Sequence, residues 1–175
     1  ILNWDQHHKL IAPNLIKVCK EPDNLAAKEA MMLGATLAGI AFSNASVGLV
    51  HGMSRPIGVH FHVPHGMSNA MLLPTITEYS LAGAPLKYAE CAMHMGLVAD
   101  VEDLDSAHQV LINELKQINH TLAVPTLAAF GIEKAQYDTL LANMAEQALA
   151  SGSPGNNPKI PALNDIIELY RKVWD

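Results

Sequence analysis

The chain has little charge, few aromatic residues and almost no cysteine. Only 16% of its 175 residues are charged and 50% are apolar, whereas an ordinary globular domain has about a quarter charged residues. The net charge of −6 comes without a Lys/Arg cluster. This argues against nucleic acid or an anionic membrane as a ligand, because both need a basic patch. Small molecules and proteins remain as partners, and the apolar excess suggests a face that a partner covers.

The two cysteines, Cys19 and Cys91, lie far apart and form no Cys-x-x-Cys motif. Two reduced, buried thiols are therefore predicted, with the cytoplasm as the default compartment. No run reaches the 18 apolar residues of a membrane span, and the N-terminus lacks the order of a signal peptide. Because the chain begins at Ile1 without an initiator Met, we expect it to be a piece of a longer polypeptide.

Several other patterns are missing. No stretch alternates apolar and polar residues for long enough to predict a strand, so we expect an all-α fold, a helical bundle in one domain spanning residues 1–175. There is no Gly-x-Gly-x-x-Gly or Gly-x-x-x-x-Gly-Lys loop, no Gly-x-Ser-x-Gly turn and no His-Glu-x-x-His helix. Standard dinucleotide binding is thus excluded from this chain.

Helical periodicity and caps predict eight helices. The expected ranges are about Lys9–Val18, Asp23 or Asn24 through Ile40, Ser43 or Asn44 through His51, His65–Leu73, Pro85–His94, Leu104–His120, Lys134–Ala150 and Leu163–Trp174. Gly34 and Gly39 inside the second helix predict close approach of another helix. The run from Ser151 to Pro158 is typical of a surface loop.

The segment from His51 to Pro74 concentrates imidazoles among small and apolar residues. We expect His51 near the C-terminal end of the third helix, with Pro56 and Gly58 ending that helix and a non-helical link from Ile57 to Pro64. Such a break could bring His65 back toward His51, so that both imidazoles bind one ion. For an arbitrary pair, two ordinary polar histidines near a helix boundary would be the better interpretation.

Three further side chains are secondary candidates. His60 and His62 could point toward the same cavity or simply face solvent from the link. Arg55 follows His51 by one helical turn and could meet an anionic substrate group or a cofactor phosphate. It could equally form an ordinary salt bridge.

The motifs around these residues resemble those of the iron-containing, NAD(P)-dependent alcohol dehydrogenases. The likeness runs from about Leu25 to the end and is carried by Gly39-Ile-Ala-Phe-Ser-Asn44, Gly48-Leu-Val-His51, His65-Gly66, Asn69-Ala70, Leu72-Leu73-Pro74, Asn157-Pro158, Asp165-Ile166 and Tyr170. It implies an N-terminal α/β domain that binds NAD(P) and a helical C-terminal domain that supplies metal ligands. The chain matches only the helical domain.

The resemblance also implies a ligand set. In that family an Asp and a His one turn apart, then two further His residues, hold a divalent metal, and His51 and His65 match the last two. The Asp-x-x-x-His pair and a Gly-Gly-Gly-Ser loop for the pyrophosphate would lie upstream of Ile1. Fe²⁺, Zn²⁺ and Mn²⁺ all suit such ligands. Where the family often has a proton-relaying His, this chain has Arg55, so the relay has moved to His60 or His62, or the substrate is anionic.

The function implied is hydride transfer between a small alcohol or aldehyde and NAD(P), with the metal as Lewis acid. We expect the isolated chain to be inactive without the N-terminal cofactor domain as its partner, and self-association into a homo-oligomer is a further expectation. Two alternatives stay open. One is a different reaction on the metal site of another dehydroquinate synthase-like enzyme, and the other is a truncated assembly module without chemistry.

Overall fold

The computed structural model describes residues 6–174, and within that range the fold is all-α, as predicted, with no strand. The eight α-helices are α1 (Gln6–Lys20), α2 (Leu25–Ala45), α3 (Leu49–Phe61), α4 (His65–Ser80), α5 (Pro85–His94), α6 (Leu104–Thr121), α7 (Lys134–Ala150) and α8 (Leu163–Lys172). Short 3-10 turns occupy Leu81–Gly83 and Ser153–Asn156. The predicted bounds of α5 and α7 are confirmed to the residue.

The helices group into two compact units, each described here by itself. The first unit comprises Ile1–Ser46 and Pro85–Leu122, and the second unit comprises Val47–Ala84 and Ala123–Asp175. The organisation of the whole chain as one domain stays a prediction. All candidate site residues belong to the second unit.

In the first unit, α1 packs closely against α2 at Gly34. A methyl group on Gly34 would lie 2.7 Å from Ile11 Cγ1, so the predicted close helix approach is confirmed there. It is wrong at Gly39, where the nearest atom to such a methyl would be on Phe42 at 3.9 Å. Asn24 is the predicted cap of α2, because its side chain accepts a hydrogen bond from the backbone N–H of Ala27 at 2.9 Å.

The rest of the first unit is a smaller core between α5 and α6. It is built on Leu111 and on three alanines, Ala89, Ala92 and Ala107, whose small side chains let the two helices approach. Both cysteines are free thiols, as predicted, but the predicted burial is wrong for Cys19, which is exposed, and only partly met by Cys91. Partial burial raises the pKa of Cys91 to about 11. The Cys91 thiol is therefore in its unreactive protonated form at neutral pH.

Helix α2 is apolar enough to cross a membrane by length and composition alone. An 18-residue window within Leu25–Ala45 has a mean hydropathy of 1.4, and 11% of that window is buried. A core helix of a soluble protein passes the same test. The contact of α2 with α1 at Gly34 shows that at least one side of this helix packs on protein.

The second unit has the larger core, into which α3 inserts Leu49, Met53 and Ile57, each with no exposed surface. Residues from α4, α7 and α8 complete it, including Leu72, Ile76, Met144, Ile166 and Tyr170. Two buried hydroxyls connect its helices. Tyr170 donates to the carbonyl oxygen of Met53 at 2.8 Å, and Tyr137 donates to that of Tyr170 at 2.9 Å. Helix α3 is therefore fixed by packing and by a hydrogen bond to α8.

Pro56 and Pro74 do not end helices α3 and α4, so the predicted bounds of these two helices were wrong. Helix α3 begins at Leu49, not at Ser43 or Asn44, and it continues through Pro56 and Gly58 to Phe61. Helix α4 likewise runs through Pro74 to Ser80. A proline inside a helix costs about 3 kcal/mol, but here both prolines are buried among core residues that contribute roughly 1.5–3 kcal/mol each. Burial therefore outweighs the local penalty.

Candidate metal centre

His51 and His65 lie side by side, each in the first turn of its helix. His51 is the third residue of α3, not a residue near its C-terminal end as predicted, and His65 is the first residue of α4. A link of three residues, His62–Pro64, separates the helices. The two ring centroids are 5.3 Å apart, with an angle of 57° between the ring planes.

This spacing fits two imidazoles on one ion. With Zn–N bonds of roughly 2.0–2.1 Å and tetrahedral angles, two rings on one zinc ion have centroids about 5 Å apart. The observed 5.3 Å agrees with that estimate. No group of three or more His, Cys, Asp or Glu side chains able to hold a metal occurs within residues 6–174. Among the described residues the structure therefore brings together two candidate ligands, His51 and His65.

The electrostatics of His51 favour the neutral form that binds metals. Burial lowers the pKa of His51 below its usual value, and the nearby positive charges of His65 and Arg55 lower it further. A neutral imidazole has a free nitrogen lone pair, whereas a protonated imidazole has none. Metal binding at His51 therefore competes with fewer protons than at an ordinary histidine.

His65 is held by hydrogen bonds at both ring nitrogens. Nδ1 lies 3.3 Å from the Ser54 hydroxyl oxygen, and Nε2 lies 3.2 Å from the amide nitrogen of Asn69. The amide oxygen of Asn69 is buried without a hydrogen-bond partner. An orphaned polar atom beside an imidazole is typical of a site that binds a polar ligand or an ion.

An open cleft of about 510 Å³ adjoins His51. Its lining is mostly small or apolar and includes Gly48, Leu49, Val50, Gly66, Ala70 and Leu73, while its polar side chains are His51, Asn69 and Asn157. An apolar cleft with a few converging polar groups is the usual form of a small-molecule site. The cleft could accept the carbon skeleton of a small substrate next to the imidazoles.

Asn157 is the principal site residue whose role the sequence did not reveal. The run 151–158, predicted as a surface loop, is partly buried: Ser153, Pro154 and Asn157 are 4%, less than 2% and 8% exposed. The Asn157 side chain accepts a hydrogen bond from Leu49 N–H at 3.4 Å and donates to Ser80 Oγ at 2.9 Å and to Lys159 O at 2.8 Å. Because Gly48 has no side chain to cap α3, Asn157 takes over that role from 108 residues away.

Arg55 lies one turn after His51, as expected, and is exposed. Its Nη1 donates a hydrogen bond to Ser153 Oγ at 3.2 Å. Within residues 6–174 no carboxylate forms an ion pair with it, so the ordinary salt bridge is not found there. Since the guanidinium has five donors, most of them remain available to an anion.

His60 and His62 have different surroundings. His60 is in α3, not in a link as predicted, and its Nε2 lies 3.0 Å from Gln147 Oε1 on α7. Nine residues after His51, it falls about two and a half turns later, on the opposite side of the helix. His62 is the exposed C-cap of α3 in the left-handed conformation, with φ 57°. The catalytic role of His62 stays a prediction.

Comparisons with known proteins identify the family of the chain. The profile of the Fe-containing alcohol dehydrogenase family, C-terminal part, matches residues 5–174. Lactaldehyde reductase of Escherichia coli (strain K12) is 36% identical over 149 residues, which are 85% of this chain and 38% of that protein. 1,3-Propanediol dehydrogenase of Citrobacter freundii is 34% identical over 167 residues, 95% of this chain and 42% of that protein.

Comparisons with solved structures also match the chain to alcohol dehydrogenases and related oxidoreductases. The crystal structure of a 1,3-propanediol oxidoreductase superposes with a TM-score of 0.89 at 32% identity, over 97% of this chain and 44% of that one. The alcohol dehydrogenase from Oenococcus oeni gives the same TM-score, identity and coverage. The chain belongs to the Fe-containing alcohol dehydrogenase family and corresponds to its C-terminal part. It spans less than half the length of these relatives.

Proposed function

We propose that this chain is the metal-binding part of an NAD(P)-dependent alcohol dehydrogenase that interconverts a small alcohol and its aldehyde. The observation that carries the proposal is the pair His51 and His65, 5.3 Å apart in a chain of this family. A bound Fe²⁺, Zn²⁺ or Mn²⁺ would supply Lewis-acid chemistry at the substrate oxygen. NAD(P) is assigned to an N-terminal cofactor domain, which is the partner of this chain, and the remaining two ligands to an Asp-x-x-x-His pair of the helical domain upstream of Ile1. We place the enzyme in the cytoplasm, as a homo-oligomer.

The relatives' names support a small, aliphatic substrate. They include lactaldehyde, 1,3-propanediol, butanol and 1-propanol. The cleft of about 510 Å³ has the volume of an ordinary small-molecule pocket, and Leu49, Val50 and Leu73 give it an apolar wall suited to a short carbon chain.

Each site residue then has a defined role. His51 and His65 hold the ion as neutral imidazoles, and Asn157 fixes the helix start that carries His51. Arg55 attracts a negatively charged group of the substrate, because it is a permanent cation without a carboxylate partner among the described residues. His62, exposed at the end of α3, is proposed to pass a proton between the site and solvent.

The test is His65→Ala in the full-length enzyme, with metal content and NAD(P)-linked aldehyde reduction measured on the same preparation. We expect both to be lost together, since His65 is one of two imidazole ligands. His60→Ala is the matched control, because His60 contacts Gln147 on the other side of α3, and it should keep metal and most activity. Full metal content and activity in His65→Ala would remove His65 from the site.

The same experiment separates the alternatives. Metal binding without hydride transfer in the unmodified enzyme would favour another reaction on the same helical scaffold. A full-length protein that holds no metal would favour an assembly module.

A further inference from the structure

Ser54 is a buried hydroxyl group between the two histidines of the candidate metal centre. Its side chain has no exposed surface. Its oxygen lies 3.3 Å from the carbonyl oxygen of His51 and 3.3 Å from Nδ1 of His65. A hydroxyl has one hydrogen to donate, so it can donate to only one of these two atoms at a time.

The Asn69 amide decides between the two arrangements. Its nitrogen, which can only donate, lies 3.2 Å from Nε2 of His65, so Nε2 must be the acceptor. A neutral imidazole with a bare Nε2 carries its proton on Nδ1. The Nδ1–H then donates to the Ser54 oxygen, and the Ser54 hydroxyl is left to donate to the carbonyl oxygen of His51. In this arrangement the Nδ1–H of His65 and the hydroxyl of Ser54 each have an acceptor.

We propose that Ser54 is a positioning residue that holds His65 in the Nδ1–H tautomer, with the Nε2 lone pair available to a cation. The partner of one ring nitrogen selects the tautomer and the orientation of the ring, and so determines which nitrogen can bind a metal. The tautomer is inferred from the hydrogen bonds alone, whereas its use for metal binding rests on the proposed function. In the structure the Asn69 amide nitrogen contacts the Nε2 lone pair that a cation would take.

The tautomer can be measured directly by long-range ¹H–¹⁵N NMR of the chain labelled with ¹⁵N-histidine. The spectrum is recorded about two pH units above the ordinary imidazole pKa of about 6.5, where histidines are neutral. The His65 signals are assigned by their loss in His65→Gln. We expect a protonated Nδ1 and a bare Nε2 at His65. The Nε2–H tautomer in the unmodified chain would overturn the proposal without any further variant.

Two variants test whether Ser54 is the cause. Ser54→Ala removes the acceptor for Nδ1–H. Without that acceptor the Asn69 amide can turn over so that its oxygen accepts from Nε2–H, and we therefore expect the His65 signals to move toward the Nε2–H tautomer. Ser68→Ala is the matched control, because Ser68 is also fully buried but its hydroxyl donates to the backbone oxygen of His65 at 3.0 Å and not to the ring. It should leave the tautomer unchanged. An unchanged His65 spectrum in Ser54→Ala would overturn the proposal.

The second measurement is the zinc affinity of the full-length enzyme and of its Ser54→Ala and Ser68→Ala variants, obtained by calorimetric titration. Loss of an outer-shell partner typically weakens metal binding 10- to 100-fold, so we expect Ser54→Ala to weaken zinc binding about tenfold or more and Ser68→Ala to weaken it less than threefold. Equal affinities in the two variants would overturn the role of Ser54 in metal binding. A chain that shows the Nδ1–H tautomer but binds no zinc even when the preceding domain is present would instead overturn the proposed function and leave the tautomer assignment intact.

Discussion

Replacing Asn157 with Ala tests whether one side chain fixes the start of α3. The substitution removes the acceptor for the backbone N–H of Leu49 and the donor to Ser80 Oγ and Lys159 O. All of these groups lie in the second unit, and both Leu49 and Ser80 are buried. Water cannot easily replace the lost partners there.

The expected cost follows from counting these bonds. A hydrogen bond in a folded protein contributes a net 0.5–1.5 kcal/mol or so, so losing three of them should lower the free energy of unfolding by about 3 kcal/mol. For a chain of 150–250 residues, 1 kcal/mol changes the midpoint of thermal unfolding by roughly 2–4 °C, so Tm should fall by roughly 6–12 °C.

The assay is thermal unfolding followed by calorimetry and by circular dichroism. Asn156→Ala is the matched control, because Asn156 is the exposed neighbour with one hydrogen bond, to Val47 O at 3.2 Å. Its free energy of unfolding should fall by less than about 1 kcal/mol. If the two variants unfold at the same temperature, the assignment of Asn157 as the distant cap of α3 is wrong.

Two further predictions concern the same unit. Gly83→Ala would place a methyl group 2.3 Å from the carbonyl carbon of Pro158 and 2.4 Å from Lys159 N. Because the backbone must then move, we expect the free energy of unfolding, measured by chemical denaturation, to fall by about 3 kcal/mol. Gly155→Ala meets nothing within 4 Å, and equal stability of the two variants would contradict this packing. In the full-length enzyme, Arg55→Ala should raise KM for an aldehyde that carries a carboxylate about fivefold, because an exposed ion pair contributes up to about 1 kcal/mol and about 1.4 kcal/mol is tenfold. It should leave KM for a neutral aldehyde of equal length nearly unchanged. An equal change in KM for both aldehydes would refute charge recognition by Arg55.

Sequence patterns predicted the helices whose signals are local. Pro85–His94 and Lys134–Ala150 have their predicted bounds, because a proline or a polar residue starts each and a break follows directly. Asn24 was predicted as one of two alternatives for the cap of α2, and its bond to Ala27 is three residues long. Signals that act within one turn of helix can be read from the chain alone.

Pro56 and Pro74 show where local rules fail. Each was expected to end a helix, yet each lies inside one. The compensation comes from core contacts of residues such as Met53 and Ile76 with helices that follow much later in the chain. A local pattern contains no information about that burial.

The candidate site also contains residues that the sequence indicated and residues that it did not. His51 and His65 could be selected from their composition and family resemblance, and the structure brings them together. The hydrogen bonds of Ser54 and Asn157 reach across 11 and 108 residues, so nothing near either residue in sequence indicated its role.

The distant cap of α3 has a consequence for synthesis in the cell. While a ribosome is producing the chain, His51 and His65 emerge long before Asn157, and Tyr170, whose hydroxyl bonds to Met53 across 117 residues, emerges later still. Contacts of such long range are formed late in folding because closing the intervening loop costs entropy. The two imidazoles should therefore reach their final spacing only after Asn157 and Tyr170 have been synthesised, so that metal is acquired after that point and not by a shorter nascent chain.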